Sequence, residues 1–347
     1  MKPLSIRIIN LVEQAQYFVS RVTNSTLVYT YFSIGKMLID EIQHGDNKAS
    51  YGKQILKSLS VDLTEKLGKG YSVDNLENMR RFYLQYKGQF TISENDSRIL
   101  YLPEISETIS RKFDNQLLSW SHYILLSKIT NSEERKFYEI ESLQNNWGLD
   151  ELKRQFNSSL YERLCLSRDK DEMRNLAQKG QQIEKPLDLY KDPLILEFLN
   201  IPKSSQFSEN ELETSIISEI EQFMLELGKG FFFGGRQVRF TFDEDHFYVD
   251  LVFYNRILKC FVLIDLKLGK LTHQDLGQMQ MYVNYYDRFE KTETENQTIG
   301  IVLCKTKSES MVEITLPKNN QQIFATNYST ILPSKQELKK LLDKHIE

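Results

Sequence analysis

Cysteine is scarce in this chain: 347 residues hold three, Cys165, Cys260 and Cys304. The number is odd, the spacings are wide and no C-x-x-C pair occurs, which argues against a disulfide framework and against a thiolate zinc site. Histidine is equally thin, with 5 scattered residues and no H-E-x-x-H arrangement. No apolar run approaches the roughly 18–20 residues that a membrane span needs. The longest stretches, such as Phe261 to Ile264, are strand-sized. The opening Met1-Lys2-Pro3-Leu4 leads into an amphipathic pattern interrupted by Arg7, Asn10 and Glu13, unlike the apolar region of a secretory signal. Free thiols without a membrane segment place the chain, as an expectation, in the cytoplasm of a bacterium-like cell. Charge of one sign is lacking too: Lys+Arg 44 face Asp+Glu 48, a net charge of -4.

What is present is an ordinary globular balance, 40% hydrophobic and 27% charged, which excludes disordered, collagen-like and coiled-coil classes for the whole chain. The length exceeds what one core usually serves, so two domains are expected. Up to about Lys179 the pattern reads as helix after helix. Val28, Tyr31, Phe32, Leu38, Ile39 and Ile42 recur at helical spacing. Gly35 falls on that stripe, either admitting a close helix neighbour or marking a local weak point. Helices are expected over 51–67, from Ser72 as N-cap to about Tyr86, and over 116–130, 132–143 and 150–163, with Trp120 and Trp147 packed between them. The segment 87–112 is polar and irregular and reads as a loop, with or without a short helix. A polar breaker, Gly180 to Pro186, sets the linker near 175–190, giving domains at 1–180 and 190–347. The second domain reads as a short helix at 193–199, a helix at 210–227, strands at 231–242, 247–254 and 259–268, a helix from Thr272 to about Phe289, and strands at 298–304 and 321–327. A capping box of Ser334 with Glu337 starts a last helix. The order of helix, three strands, helix and strand suggests an α/β sandwich around a mixed sheet.

Charged residues interrupt strands that are otherwise apolar. Asp250 lies within Phe247 to Tyr254, and Asp265 and Lys267 lie within Phe261 to Leu268. Two apart on a strand, Asp265 and Lys267 share a face, and both are costly there unless paired or coordinated. Asp250 joins them if the two strands are neighbours. Carboxylates from adjacent strands make a hard oxygen site that suits Mg²⁺ or Mn²⁺. Such a metal with a neighbouring lysine fits hydrolysis of a phosphodiester. A salt bridge at a strand end is the plainer account of the triplet. On the 210–227 helix, an apolar stripe centred on Ile220 leaves Glu213 about 20° away and Glu226 about 120° away, toward solvent. Glu213 is thus either a third carboxylate of the site or a first-turn acid favoured by the helix dipole.

These residues resemble a known family. Leu225 to Phe231 with Gly235-Arg236-Gln237, then Phe247 to Tyr254, Asp265-Leu266-Lys267, Gly277-Gln278-Met279 with Tyr282, and Thr298 to Lys305 resemble the PD-(D/E)XK nuclease domain of the bacterial YhcG-type family. The N-terminal region resembles that family's as well, through Leu59-Ser60, Tyr71-Ser72, Asn75-Leu76, Met79-Arg80, Phe82-Tyr83 and Trp120-Ser121-His122. The resemblance implies an α+β two-domain chain: an all-α, helix-turn-helix-like domain and a restriction-endonuclease-like α/β domain with a central mixed sheet. It implies a metal-dependent endonuclease acting on DNA with Mg²⁺ or Mn²⁺, in restriction, recombination or defence against mobile elements. Asp250 and Asp265 become metal ligands, Lys267 the catalytic lysine, Glu213 the helix acid, and Gln278 a support for the site or the DNA backbone. Arg236 joins the DNA-binding candidates. The family pattern usually has Glu where this chain has Asp265, one methylene shorter.

Two other classes stay open: an inactive DNA-binding or assembly protein, and an accessory protein of a restriction or defence system that needs a partner. In the first domain, 53–87 reads as a helix-turn-helix or as a plain helical hairpin. Its second helix is expected to bury Val73, Leu76, Met79 and Tyr83, and to present Asn78, Arg81 and Gln85 to DNA bases or phosphates. Trp120-Ser121-His122 is read as interhelical packing rather than a nucleophile. A homodimer would suit cleavage of both strands of a duplex. The net charge divides into +2 over 1–180 and -6 over 181–347, so DNA contact is expected to depend on local patches and on the metal.

Overall fold

The structure, a computed structural model of the chain, describes residues 3–44, 49–89, 117–166, 168–201, 207–336, 338 and 340. Most of the 87–112 segment and Glu337 of the last expected capping box therefore lie outside the described residues. Contacts divide the chain into two compact units, Met1–Lys153 and Arg154–Glu347.

The first unit is helical: α1 (Pro3–His44), α2 (Ala49–Leu67), α3 (Val73–Tyr86), α4 (Trp120–Leu126) and α5 (Ser132–Gln144), followed by the start of α6 (Leu149–Asn157). The turn before α3 uses Gly68 and Gly70 at φ 84° and 120°, values that glycine adopts without a Cβ clash. Ser72 caps α3 by accepting from the Asn75 N–H at 3.3 Å. Gly35 of α1 is a point of close approach: a Cβ there would collide with the Met79 carbonyl oxygen and lie 2.9 Å from the Tyr83 Cβ. The buried stripe of α3 is Leu76, Met79, Phe82 and Tyr86. Val73 and Tyr83, expected inside, are only half-buried. Phe82 is the centre of an aromatic cluster, with ring centroids 5.6 Å from Phe32, 5.5 Å from Trp120 and 4.8 Å from Tyr123. His122 is buried, its Nδ1 2.7 Å from Ser119 Oγ and its Nε2 3.1 Å from the Trp147 carbonyl oxygen. Both ring nitrogens are engaged in holding α4, and burial lowers the His122 pKa.

Helix α5 carries Glu139 into this aromatic wall. Tyr123 donates its hydroxyl to Glu139 Oε1 at 3.5 Å, and desolvation pushes the Glu139 carboxyl up to about 7 despite help from Tyr86 and Arg135.

The second unit adds α7 (Leu160–Cys165), α8 (Lys170–Lys179), β1 (Leu194–Ile195), α9 (Glu209–Ser218), α10 (Ile220–Leu227), β2 (Phe231–Phe242), β3 (Asp245–Asn255), β4 (Cys260–Lys270), α11 (His273–Tyr285), β5 (Ile299–Thr306), α12 (Glu309–Thr315) and β6 (Ile323–Ser329). The sheet order is β1-β6-β5-β4-β3-β2. Strands β2, β3 and β4 form an antiparallel meander, while β4, β5, β6 and β1 are parallel. One face is covered by Leu212 and Ile216 of α9 and Phe223 and Leu227 of α10. The other is covered by Leu276, Met279, Tyr282 and Val283 of α11. This is the sandwich around a mixed sheet that the element order suggested.

Three details differ from the sequence reading. The 150–163 helix is two, separated at Ser159, whose φ is 55°. Where a short helix was expected at 193–199, Leu194–Ile195 pairs with β6 and only Glu197–Leu199 turns as a 3₁₀ helix. The 210–227 helix breaks at Glu219, with φ -114° and ψ 34°. That break re-phases α10 and overturns the solvent assignment of Glu226, which is fully buried. Its carboxylate meets Arg163 Nη1 at 2.6 Å and Arg154 Nη2 at 3.1 Å, and accepts from the Ile195 N–H at 3.0 Å. Burial alone would raise its pKa, but Arg163, Lys191 and Arg154 pull it down to about 2.

Gly35→Ala is expected to destabilise the chain by about 1–3 kcal/mol, because a backbone carbonyl rather than a movable side chain fills the space; urea denaturation measures it. The raised Glu139 carboxyl gives a second test. Its contribution to stability is complete below about pH 4.5 and is lost as pH rises through about 7. Stability should therefore fall between about pH 5 and about pH 8, and Glu139→Gln should flatten that slope. Identical slopes in both proteins would remove Glu139 as the cause.

Candidate active site

The site forms where β3 and β4 part. Their ladder ends at Leu251 opposite Ile264. One residue further, Asp250 substitutes for the missing ladder bond: its Oδ2 accepts from the Leu266 N–H at 2.8 Å. Asp265 stands opposite on β4 and is 2% exposed. The two carboxyl groups are near enough to share a hydrogen bond when one is protonated. Burial pushes the Asp265 carboxyl up, the Asp250 charge adds to this, and Lys267 offsets part of it, leaving a value of about 7.

Lys267 Nζ lies 2.8 Å from Asp265 Oδ2. Burial works against its charge, but Asp265, Glu209 and Asp250 outweigh the burial and raise its pKa. The Lys267 side chain is thus set to balance negative charge at Asp265. Glu213 sits on α9, 2% exposed, with Oε1 3.5 Å from Arg236 Nε. Gln237 bridges the two acidic groups: its Nε2 donates to Glu213 Oε2 and, at 2.9 Å, to Asp250 Oδ1. Gln278, on the first half of α11, donates to the Tyr282 hydroxyl. Burial raises the Tyr282 pKa; Gln278 and Lys267 lower it, and the charges of Asp265 and Asp250 raise it.

The structure thus brings Asp250, Asp265 and Lys267 together, with Glu213 joined to Asp250 through Gln237, while Gln278 is hydrogen-bonded to Tyr282. Arg236 is half-exposed and ion-paired with Glu213. Asn78, Arg81 and Gln85 lie on α3 in the first unit, where each is half-buried rather than freely exposed. Two neighbours went unread in the sequence. Glu209 accepts from the Leu268 N–H at 3.4 Å and acts on Lys267; it lies four residues before Glu213, hence on the same helix face, which was the available signal. Gln237 stood within the Gly-Arg-Gln stretch, but nothing in its type pointed to a bridging role.

The donor chemistry fits a hard divalent cation. Asp250 and Asp265 supply adjacent oxygens, and water completes such sites. Glu213 Oε1 is buried with no hydrogen-bond donor aligned on it, and Asp265 Oδ2 is buried with the Lys267 ammonium beside it. Among the described residues no group of three His, Cys, Asp or Glu side chains assembles as a ligand set, so Glu213 stands apart from the pair in this conformation. A bound divalent ion would activate water and neutralise charge on a phosphate. The residues around it hold positive charge at Lys267 and Arg236 and set the hydroxyl of Tyr282 and the amide of Gln278 on the α11 side.

A mixed sheet flanked by helices, with two acids and a lysine where its central strands part, defines a PDDEXK-type nuclease domain behind a helical N-terminal region. Residues 187–343 match the family described as the YhcG PDDEXK nuclease domain, and residues 7–163 match the DUF1016 N-terminal domain. The chain is 35% identical over 343 residues to the Escherichia coli (strain K12) protein named "Putative nuclease YhcG", covering 95% of this chain and 90% of that protein. It belongs to the YhcG family. Partial likenesses extend to a repair endonuclease from Pyrococcus abyssi, at 17% identity and a TM-score of 0.26 over 38% of this chain and 50% of that one. A complex of EndoMS with double-stranded DNA gives 12% identity and a TM-score of 0.27, over 39% and 51%. The chain thus spans about half the length of these solved structures.

Asp250→Asn is expected to lower the Asp265 carboxyl pKa in metal-free protein, followed by carboxyl NMR titration. An unchanged titration would assign the whole shift to burial.

Proposed function

We propose that the chain is a metal-dependent endonuclease that hydrolyses DNA phosphodiesters, using Mg²⁺ or Mn²⁺ held by Asp250 and Asp265. The observation that carries this reading is Asp250 and the buried Asp265 side by side where the β3–β4 ladder ends, faced by the Lys267 ammonium. A structural salt bridge needs one acid for one base; here buried Asp265 has a second, partly exposed carboxylate, Asp250, acting on it, an arrangement that a divalent cation relieves. Lys267 balances charge developing on the phosphate, Glu213 completes the metal side, and Gln278 supports the site through Tyr282. Arg236, half-exposed beside the acids, contacts the DNA backbone.

In the same reading residues 1–180 bind DNA or a partner and residues 190–347 carry the chemistry. Asn78, Arg81 and Gln85 of α3 are the DNA contacts of a helix-turn-helix formed by α2 and α3. The setting is the bacterial cytoplasm, in restriction, recombination or defence against mobile elements, and a homodimer would serve cleavage of both strands. Among the described residues no helix is long and apolar enough to cross a membrane.

Asp250→Ala and Lys267→Ala are expected to leave the circular dichroism spectrum unchanged and to abolish Mg²⁺-dependent cleavage in a screen of linear, branched and methylated DNA. Wild-type protein that binds no metal and cuts no DNA or RNA would overturn the enzyme reading.

A further inference from the structure

The amide of Gln237 occupies the place between Glu213 and Asp250. Its Nε2 carries two hydrogens, and each has a carboxylate oxygen as acceptor. Because both neighbours are acceptors only, the nitrogen and not the oxygen of the amide must face them. A neutral group therefore does between two anions what a cation does more strongly.

The backbone is shaped for this. Gln237 lies within the twelve-residue strand β2, between the pairs Arg236 with Leu251 and Val238 with Val249, which sets it opposite Asp250. The β2–β3 register shifts between Phe233 and Gly235, just upstream. At Gln237 itself φ is 46°, a left-handed value that a non-glycine residue adopts at a cost. Strand residues do not take that conformation for pairing alone. Here it accompanies a side chain that closes over the two acids. The residue is exposed, while its amide is held between Glu213 and Asp250. Arg236 reaches Glu213 from the same stretch, so two consecutive residues of β2 restrain that acid.

Resting on the reading of this site as a metal centre, we infer that Gln237 is a built-in stand-in for the divalent cation, holding Glu213 and Asp250 in the metal-free protein and competing with metal for their oxygens. Metal entry requires the amide to leave. Its release frees Glu213 Oε2 and Asp250 Oδ1 together. Gln237 is in these terms a positioning residue that sets the affinity for metal.

The test is binding of Mn²⁺ by calorimetry to the full chain, wild type against Gln237→Met, which keeps length and bulk without the donor. Removing the competing hydrogen bonds should tighten Mn²⁺ binding roughly tenfold and lower the melting temperature in EDTA. On wild-type protein, the Gln237 side-chain amide resonances should shift with Mg²⁺ in step with the binding isotherm. Equal or weaker Mn²⁺ affinity in Gln237→Met, or amide resonances that ignore Mg²⁺ while the metal binds, would overturn the stand-in and leave the metal centre intact. Absence of metal binding in both proteins would overturn the stand-in and the metal centre together.

Discussion

The desolvation of Asp265 beside Asp250 is the constraint to which the rest of the second unit answers. Burying one carboxylate is expensive, and a second carboxylate beside it adds to the cost. The chain accepts this where the β3–β4 ladder has ended, and it recovers part of the cost locally. Asp250 takes the Leu266 N–H that a longer ladder would have satisfied. Lys267, on the same face as Asp265, supplies a cation without another element having to approach. Around this group α9 brings Glu209 and Glu213, β2 brings Arg236 and Gln237, and α11 brings Tyr282. The sheet core beneath fixes all three, since the same strands that carry the acids bury Leu251, Ile264 and Leu266.

A second buried carboxylate in the same unit shows what complete neutralisation looks like. Glu226 is as buried as Asp265, yet its pKa falls to about 2 where that of Asp265 rises to about 7. The difference is the company: Arg163, Arg154 and Lys191 outnumber Glu226, whereas Asp265 has one lysine and a rival acid. Surplus cations around a buried acid pin α6, α7, β1 and α10 to one another. Surplus acid leaves a demand for positive charge unmet. This contrast separates a cluster whose charge is neutralised from one whose charge is not, and distances alone would not have drawn it, because both contain ion pairs under 3 Å.

The strands and their polar interruptions were legible because a central strand covered on both faces reads as a nearly continuous apolar run. Phe261 to Leu268 is such a run, so Asp265 and Lys267 stood out, and neighbouring strands made Asp250 their companion. Helix N-termini were legible for a similar local reason, with Ser72 and Thr272 capping where they were read. Breaks inside helices were not legible. Glu219 is a good helix former, and nothing local stops the chain there, so a constant 100° per residue carried Glu226 to the wrong side. Its real place depends on Arg154 and Arg163, more than sixty residues away, a tertiary effect that local periodicity does not contain. The aromatic stripe of α3 was displaced for the same kind of reason: Phe82 and Tyr86 go inside because Tyr123 and Trp120 await them.

Gln237 marks the limit of such reading most clearly. A neutral amide on an apolar, aromatic strand carries no charge signal, and its left-handed φ is invisible to a residue whose type does not demand it. Its importance comes from position: it faces acids donated by a helix on one side and a strand on the other. The acidity of this half of the chain, -6 over residues 181–347, has the same origin. Part of that charge is a clustered need for cations at one point, met in the metal-free protein by one lysine, one arginine and two amide hydrogens. A net charge counts those acids as repelling a polyanion. Their arrangement makes them the place where a divalent ion, and through it a phosphate, would be held.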